Sequence, residues 1–148
     1  MRYILTFLLS VSVLFPETIY TTGAGGGWFF KDALSVQAFN DPFIKGVACY
    51  TTYYDRSFSF TDSHKSSLSC RQTENTVIFA SQKEMGNRKS VFSQSKSIFF
   101  KHTMVDRIYD AKRKVIVYLI YSKSTGKDAS HHSISVVPLW SADIKVIK

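Results

Sequence analysis

Cysteine, acidic side chains and long apolar runs are all scarce in this chain, and each scarcity narrows what it can be. Cys49 and Cys70 are the whole cysteine complement, and they lack the C-x-x-C spacing. A tetrahedral structural zinc site needs four ligands, so the pair cannot build one alone. No apolar run approaches the ~20 residues that a bilayer-spanning helix requires. Catalytic, metal and cofactor motifs are missing, as are internal repeats and low-complexity linkers. No long amphipathic helix can be drawn, which argues against a helical bundle. Acidic residues number 11 against 19 Lys and Arg, for a formal net charge of +8. Hydrophobic residues still make up 45% of the chain, which argues against disorder.

What is present begins with an unusual first segment. Arg2 gives a positive start, Tyr3 to Phe15 is apolar apart from Thr6, Ser10 and Ser12, and Pro16-Glu17 ends the run. Thr22-Gly23-Ala24 offers the small residues a signal peptidase accepts, and Gly25-Gly26-Gly27 continues as an accessible stretch. These parts match a secretory leader. The expected organisation is a signal peptide over residues 1–24 and one domain over residues 25–148. Leader removal leaves 124 of the 148 residues, which can bury roughly two-thirds of the surface exposed by the unfolded chain. No transmembrane segment is expected after that cut.

In an exported chain, two cysteines outside a C-x-x-C motif read first as a structural disulfide. The sharper alternative is a reactive thiol, which needs a cation or a helix N-terminus to lower its pKa. Arg71 follows Cys70 directly, but neighbouring strand residues point to opposite faces.

Along the expected domain, Ala33 to Phe39 alternates as a half-buried strand does. Asp41-Pro42-Phe43-Ile44-Lys45-Gly46 reads as one helical turn, with Asp41 as cap, Pro42 in the first helical position and Gly46 at the left-handed exit. Gly46 to Tyr54, Leu68 to Gln72, Thr76 to Ala80, Val91 to Phe100, Thr103 to Tyr109 and Ser133 to Leu139 carry strand chemistry. Ser81 to Ser90 reads as a turn or a frayed helical turn, and Asp110 to Arg113 as a hairpin loop. Val115 to Tyr121 is unbroken apolar sequence, which predicts a central strand buried on both faces. The expected fold is mainly β: a single antiparallel β-sandwich or partly open barrel of about eight short strands with one or two helical turns.

Five blocks, in order, are distinctive: Phe39-Asn40-Asp41-Pro42, Gly46-Val47-Ala48-Cys49-Tyr50, Ser69-Cys70-Arg71-Gln72, Val105 to Arg113 with its Arg107-Ile108-Tyr109-Asp110 centre, and Ile134 to Pro138. Together they resemble the CreA family of exported Gram-negative proteins, over Ala33 to Leu139. The resemblance implies a periplasmic location, a Cys49–Cys70 pairing and a name taken from a catabolite-regulation locus. It brings no catalytic residues. The chain departs from the family pattern in having no glycine between Thr51 and Ser63 and a shortened segment before Phe39.

Charge is the clearest functional hint. Lys83 to Lys114 holds nine Lys or Arg against three acids. If these strands are neighbours, Arg88, Lys89, Lys101, Arg107, Lys112, Arg113 and Lys114 form a basic face that attracts anions. Export would set an envelope protein or an anionic envelope polymer before that face rather than nucleic acid. The bland counterpart is a solvated edge whose cations discourage aggregation. Arg107 is also expected to pair with a carboxylate on a neighbouring strand, for example on the partner face of Asp106 or at Asp41. His131-His132 are weak metal candidates without an identifiable third ligand, so no metal or cofactor is expected. His64 and His102 are isolated, and Tyr50, Tyr53, Tyr54, Phe58 and Phe60 read as sheet packing more than as a ligand platform. A non-catalytic binding or envelope-organising domain is the leading expectation. The rivals are an envelope hydrolase or metal-dependent enzyme, with its site in the Asp55–Ser67 or Ser122–His132 loops, and, more weakly, a strand donor.

Overall fold

The computed structural model describes residues 16–25, 32–55, 67–86, 88–95, 101–124 and 132–147. Within them run β1 (Glu17–Gly25), β2 (Asp32–Asn40), β3 (Ile44–Lys45), β4 (Val47–Asp55), β5 (Leu68–Gln72) and β6 (Thr76–Phe79). A 3-10 turn (Gln82–Met85) precedes β7 (Lys89–Ser95), β8 (Lys101–Asp110), β9 (Val115–Ser124), β10 (His132–Pro138) and β11 (Asp143–Val146). The described residues are mainly β and sandwich-like, as expected, and form no closed barrel. Their strands number eleven against the expected eight or so, arranged in three sheets. One sheet has the order β1-β2-β4-β5, the second β10-β9-β8-β7, and the small third β11-β6-β3. All pairings are antiparallel except β11 beside β6, which is parallel.

The inward faces of the three sheets share one core. Phe39, Val47, Cys49, Leu68 and Cys70 come from the first sheet, Val105, Ile116, Tyr118, Ile120 and Val137 from the second, and Ile44, Val77 and Phe79 from the third. Phe39 stacks on Phe92 with ring centroids 4.6 Å apart, tying β2 to β7. Opposite that contact, β10 lies along β5, and the Cys70 backbone N–H donates to the Ser135 hydroxyl at 2.7 Å. Cys49 and Cys70 face each other in the β4–β5 register and form a buried disulfide. Both cysteines are taken up by it, so no reactive thiol is left.

Two local expectations are corrected. Asp41 does cap a turn, its Oδ1 accepting the Phe43 and Ile44 N–H groups at 2.9 and 3.1 Å. The chain then extends instead of coiling, because Ile44 and Lys45 pair with Phe79 and Ile78 on β6. Gly46 reverses the chain at φ +90°, where an added Cβ would stand 2.7 Å from the Thr76 carbonyl oxygen. The second correction concerns β9. Ile116, Tyr118 and Ile120 are buried, but Val115, Val117 and Leu119 are only half-buried, so the strand is covered on one face. β1 sits at the edge of its sheet, paired to β2 alone, with every residue exposed. A cut after Ala24 would therefore remove none of the described core residues.

Candidate functional site

The most concentrated chemistry lies under the Asp41 turn. Arg107 comes from β8 and is 1% exposed, although a lone buried guanidinium would be prohibitively costly. Its Nη1 donates to Asp41 Oδ1 at 2.7 Å and its Nη2 to Glu84 Oε2 in the 3-10 turn. Tyr118, Arg107's neighbour in the β8–β9 register, donates its hydroxyl to Asp41 Oδ2 at 2.7 Å. The Phe43 ring covers the guanidinium from 5.8 Å. One cation thus joins two carboxylates and a phenol drawn from four segments. Burial, reinforced by the adjacent Asp41 carboxylate, pushes the Tyr118 hydroxyl far above its ordinary range, so it serves only as a donor. These groups are engaged with one another, and the cluster braces the fold by tying the Asp41 turn and the 3-10 turn to β8 and β9.

The other side of β8 carries a second ion pair. Asp106 is buried beneath Arg88, whose Nε donates to Asp106 Oδ2 while Nη2 donates to the Tyr121 hydroxyl at 2.8 Å. In the β8–β9 turn, Arg113 bonds Asp110 through both its backbone N–H and its guanidinium. The hydrogen bonds from Arg113 hold the Asp110 carboxyl below its usual range.

These pairings sort the cations singled out from sequence. Arg107 leaves the group, since burial and two carboxylates deny it to any external anion. Lys101 begins β8, at the far end of the strand from the turn. Arg88 and Lys89 at the start of β7 lie toward the same end of the second sheet as Lys112, Arg113 and Lys114 in the β8–β9 turn. All five are exposed, and Lys89, Lys112 and Lys114 have no ion pair among the described residues. Arg88 and Arg113 each spend one contact on a carboxylate yet keep side-chain exposures of 61% and 70%.

Of the histidines, His132 is exposed in β10 and His102 half-buried in β8, while His64 and His131 lie outside the described residues. No three His, Cys, Asp or Glu side chains gather as a metal site among the described residues. Tyr50, Tyr53 and Tyr54 belong to β4, whereas Phe58, Phe60 and most of both candidate active-site loops lie outside the description. An open cleft of about 360 Å³ lies beside the Asp41 turn, between Phe39–Phe43 and Ser90–Ser93. Sequence reasoning named Asp41 as one of two candidate sources of a partner for Arg107, the other being the partner face of Asp106, and missed Glu84 and Tyr118. The Tyr118 hydroxyl in an otherwise apolar run was the available signal, because buried tyrosines usually find a partner.

Fold and site together define a β-sandwich-like domain with a buried disulfide, a sealed ion cluster and a cationic end. A family model described as CreA protein matches residues 26–142. Protein CreA of Escherichia coli strain K12 is 30% identical over 112 residues, covering 70% of this chain and 71% of that protein. The proteins CreA of the CFT073 and O157:H7 strains match to the same extent. No solved structure matches the chain. The chain belongs to the CreA family.

Proposed function

We propose that this chain is an exported, non-catalytic binding domain that engages an anionic component of the bacterial envelope through the cationic end of its second sheet. The observation that carries the reading is the β8–β9 turn: Lys112, Arg113 and Lys114 stand exposed together, with Arg88 and Lys89 at the same end. Three exposed cations in one turn, offset there by the Asp110 carboxylate that Arg113 binds, create a local positive potential, and Lys89 adds an unpaired charge toward the same end. Export is supported by the buried Cys49–Cys70 disulfide, since such bonds persist in oxidising compartments. It is also supported by the family match beginning at residue 26, past the expected cut, and by the exposure of every β1 residue. The non-catalytic part of the reading is supported by the ion cluster, whose charged groups are turned toward one another.

The test is retention on immobilised heparin as a generic polyanion. The oxidised protein should bind at low salt and elute as salt rises, because screening shortens the reach of surface charge to ~8 Å at physiological ionic strength. The variant K112Q/R113Q/K114Q should elute at clearly lower salt with unchanged circular dichroism. Equal elution of the two proteins would rule out the turn as the binding element.

A further inference from the structure

Across β8, β9 and β10 the outward face of the second sheet is largely apolar, broken by Asp106 beside Leu119 and Asp110 beside Val115, and no residue of the described fold packs over it as a core. The register brings its side chains together in rows. Ile134 stands beside Leu119, Val136 beside Val117 and Ile108, and Pro138 beside Val115, with Tyr121 and Met104 as the row beyond Leu119. Ile134 and Val136 are 62% and 47% exposed, and Val115, Val117, Leu119, Ile108 and Met104 are half-buried. Cations frame this block. Lys112 to Lys114 close the end beyond Val115, Lys123 continues the outward side of β9 past Tyr121, and Arg88 lies along the β7 side over Asp106 and Tyr121. Trp140 is 77% exposed, one residue past Leu139, whose N–H is held by the Lys114 carbonyl at 2.8 Å.

We infer that this face docks on the surface of an anionic lipid bilayer, its apolar rows entering the acyl boundary and its cations meeting the headgroup phosphates. The inference rests on the anionic-partner reading above and names that partner. Two features choose the occupant. The block measures about 10 Å across three strands and about 20 Å along them, from the spacing and rise of strands. A stable protein interface needs about 800 Å² on each side, several times more. A bilayer has no such minimum, and an amphipathic surface with cations around apolar side chains is what binds its interface. Trp and Tyr at the rim of such a face also suit the headgroup level. A soluble polyanion would use the cations and leave the apolar rows in water.

The experiment is co-sedimentation of the oxidised protein with vesicles of phosphatidylglycerol and, separately, of phosphatidylcholine. It is read alongside Trp140 emission, with W140F identifying that signal, and heparin retention. The expected result is association with phosphatidylglycerol only, a blue shift of Trp140, and about a tenfold or greater loss of vesicle affinity in I134S/V136S. That variant changes the two most exposed apolar residues of the face, its heparin retention should equal that of the parent, and an unchanged circular dichroism spectrum certifies its fold. Vesicle affinity unchanged by I134S/V136S would overturn the inference. Heparin retention without vesicle association would overturn it too, while leaving the polyanion reading intact. Failure to bind either probe would end both.

Discussion

Removing Arg107 should cost this protein a large part of its stability. In Arg107→Met the guanidinium disappears while both its carboxylates remain, Asp41 fully buried at its side chain and Glu84 11% exposed. Tyr118 and the Phe43 and Ile44 N–H groups still serve Asp41, but Glu84 loses the partner that brings it inward. Breaking a buried pair by deleting one member costs about 3–5 kcal/mol, against a total stability of about 5–15 kcal/mol for a small domain. At a urea slope of about 2 kcal/mol per M, the unfolding midpoint should fall by about 1.5–2.5 M. Arg107→Lys keeps the charge but cannot span two carboxylates in a fixed fork, so it should fall between the parent and Arg107→Met. Urea unfolding of the oxidised proteins by circular dichroism measures all three. A loss below about 1 kcal/mol for Arg107→Met would refute the reasoning, because a surface ion pair costs no more than that.

Three further outcomes follow from the same coordinates. The double substitution C49A/C70A should lower unfolding stability by about 3 kcal/mol, the value for opening a loop of this length, read from urea midpoints. Gly46→Ala should lower the melting temperature by about 4 °C or more, since the methyl meets the Thr76 carbonyl at 2.7 Å on a backbone held at φ +90°. The Tyr118 hydroxyl is pushed above its unfolded value near 10, so as pH rises past about 10 the unfolded chain loses that proton first and the fold loses stability. Tyr118→Phe lacks this component, so the stability gap between parent and variant should narrow from pH ~9 to ~11. A gap that stays constant would mean that Tyr118 titrates normally.

Much of this fold was legible in the chain because its strands carry alternating or β-branched residues. β2, β4, β5, β6, β8, β9 and β10 fall within a few residues of where Ala33–Phe39, Gly46–Tyr54, Leu68–Gln72, Thr76–Ala80, Thr103–Tyr109, Val115–Tyr121 and Ser133–Leu139 placed them. The failures have physical causes. An unbroken apolar run does not say whether one or both faces are covered, and β9 is covered on one. β3 has two residues, too few for any period, and it exists because β6 supplies its partner. Asp143-Ile144-Lys145-Val146 does alternate, but its partner β6 lies far back in the chain and pairs in parallel, which no local signal announces. At the ion cluster, Asp41 was readable as a cap and as a partner for Arg107, whereas Glu84 arrives only because the 3-10 turn folds over β8. The basic segment was visible as composition, but only the β7–β8–β9 pairing separates the exposed Lys112–Lys114 end from the buried Arg107.

If the protein is exported, oxidised and engaged with an anionic partner as proposed, a native mass spectrum of the protein recovered from its own host will show all three together. The expected species lacks the first 24 residues and the two hydrogens of Cys49 and Cys70, with anionic adducts that leave as salt rises. A full-length chain with reduced cysteines and no adduct would contradict the proposal.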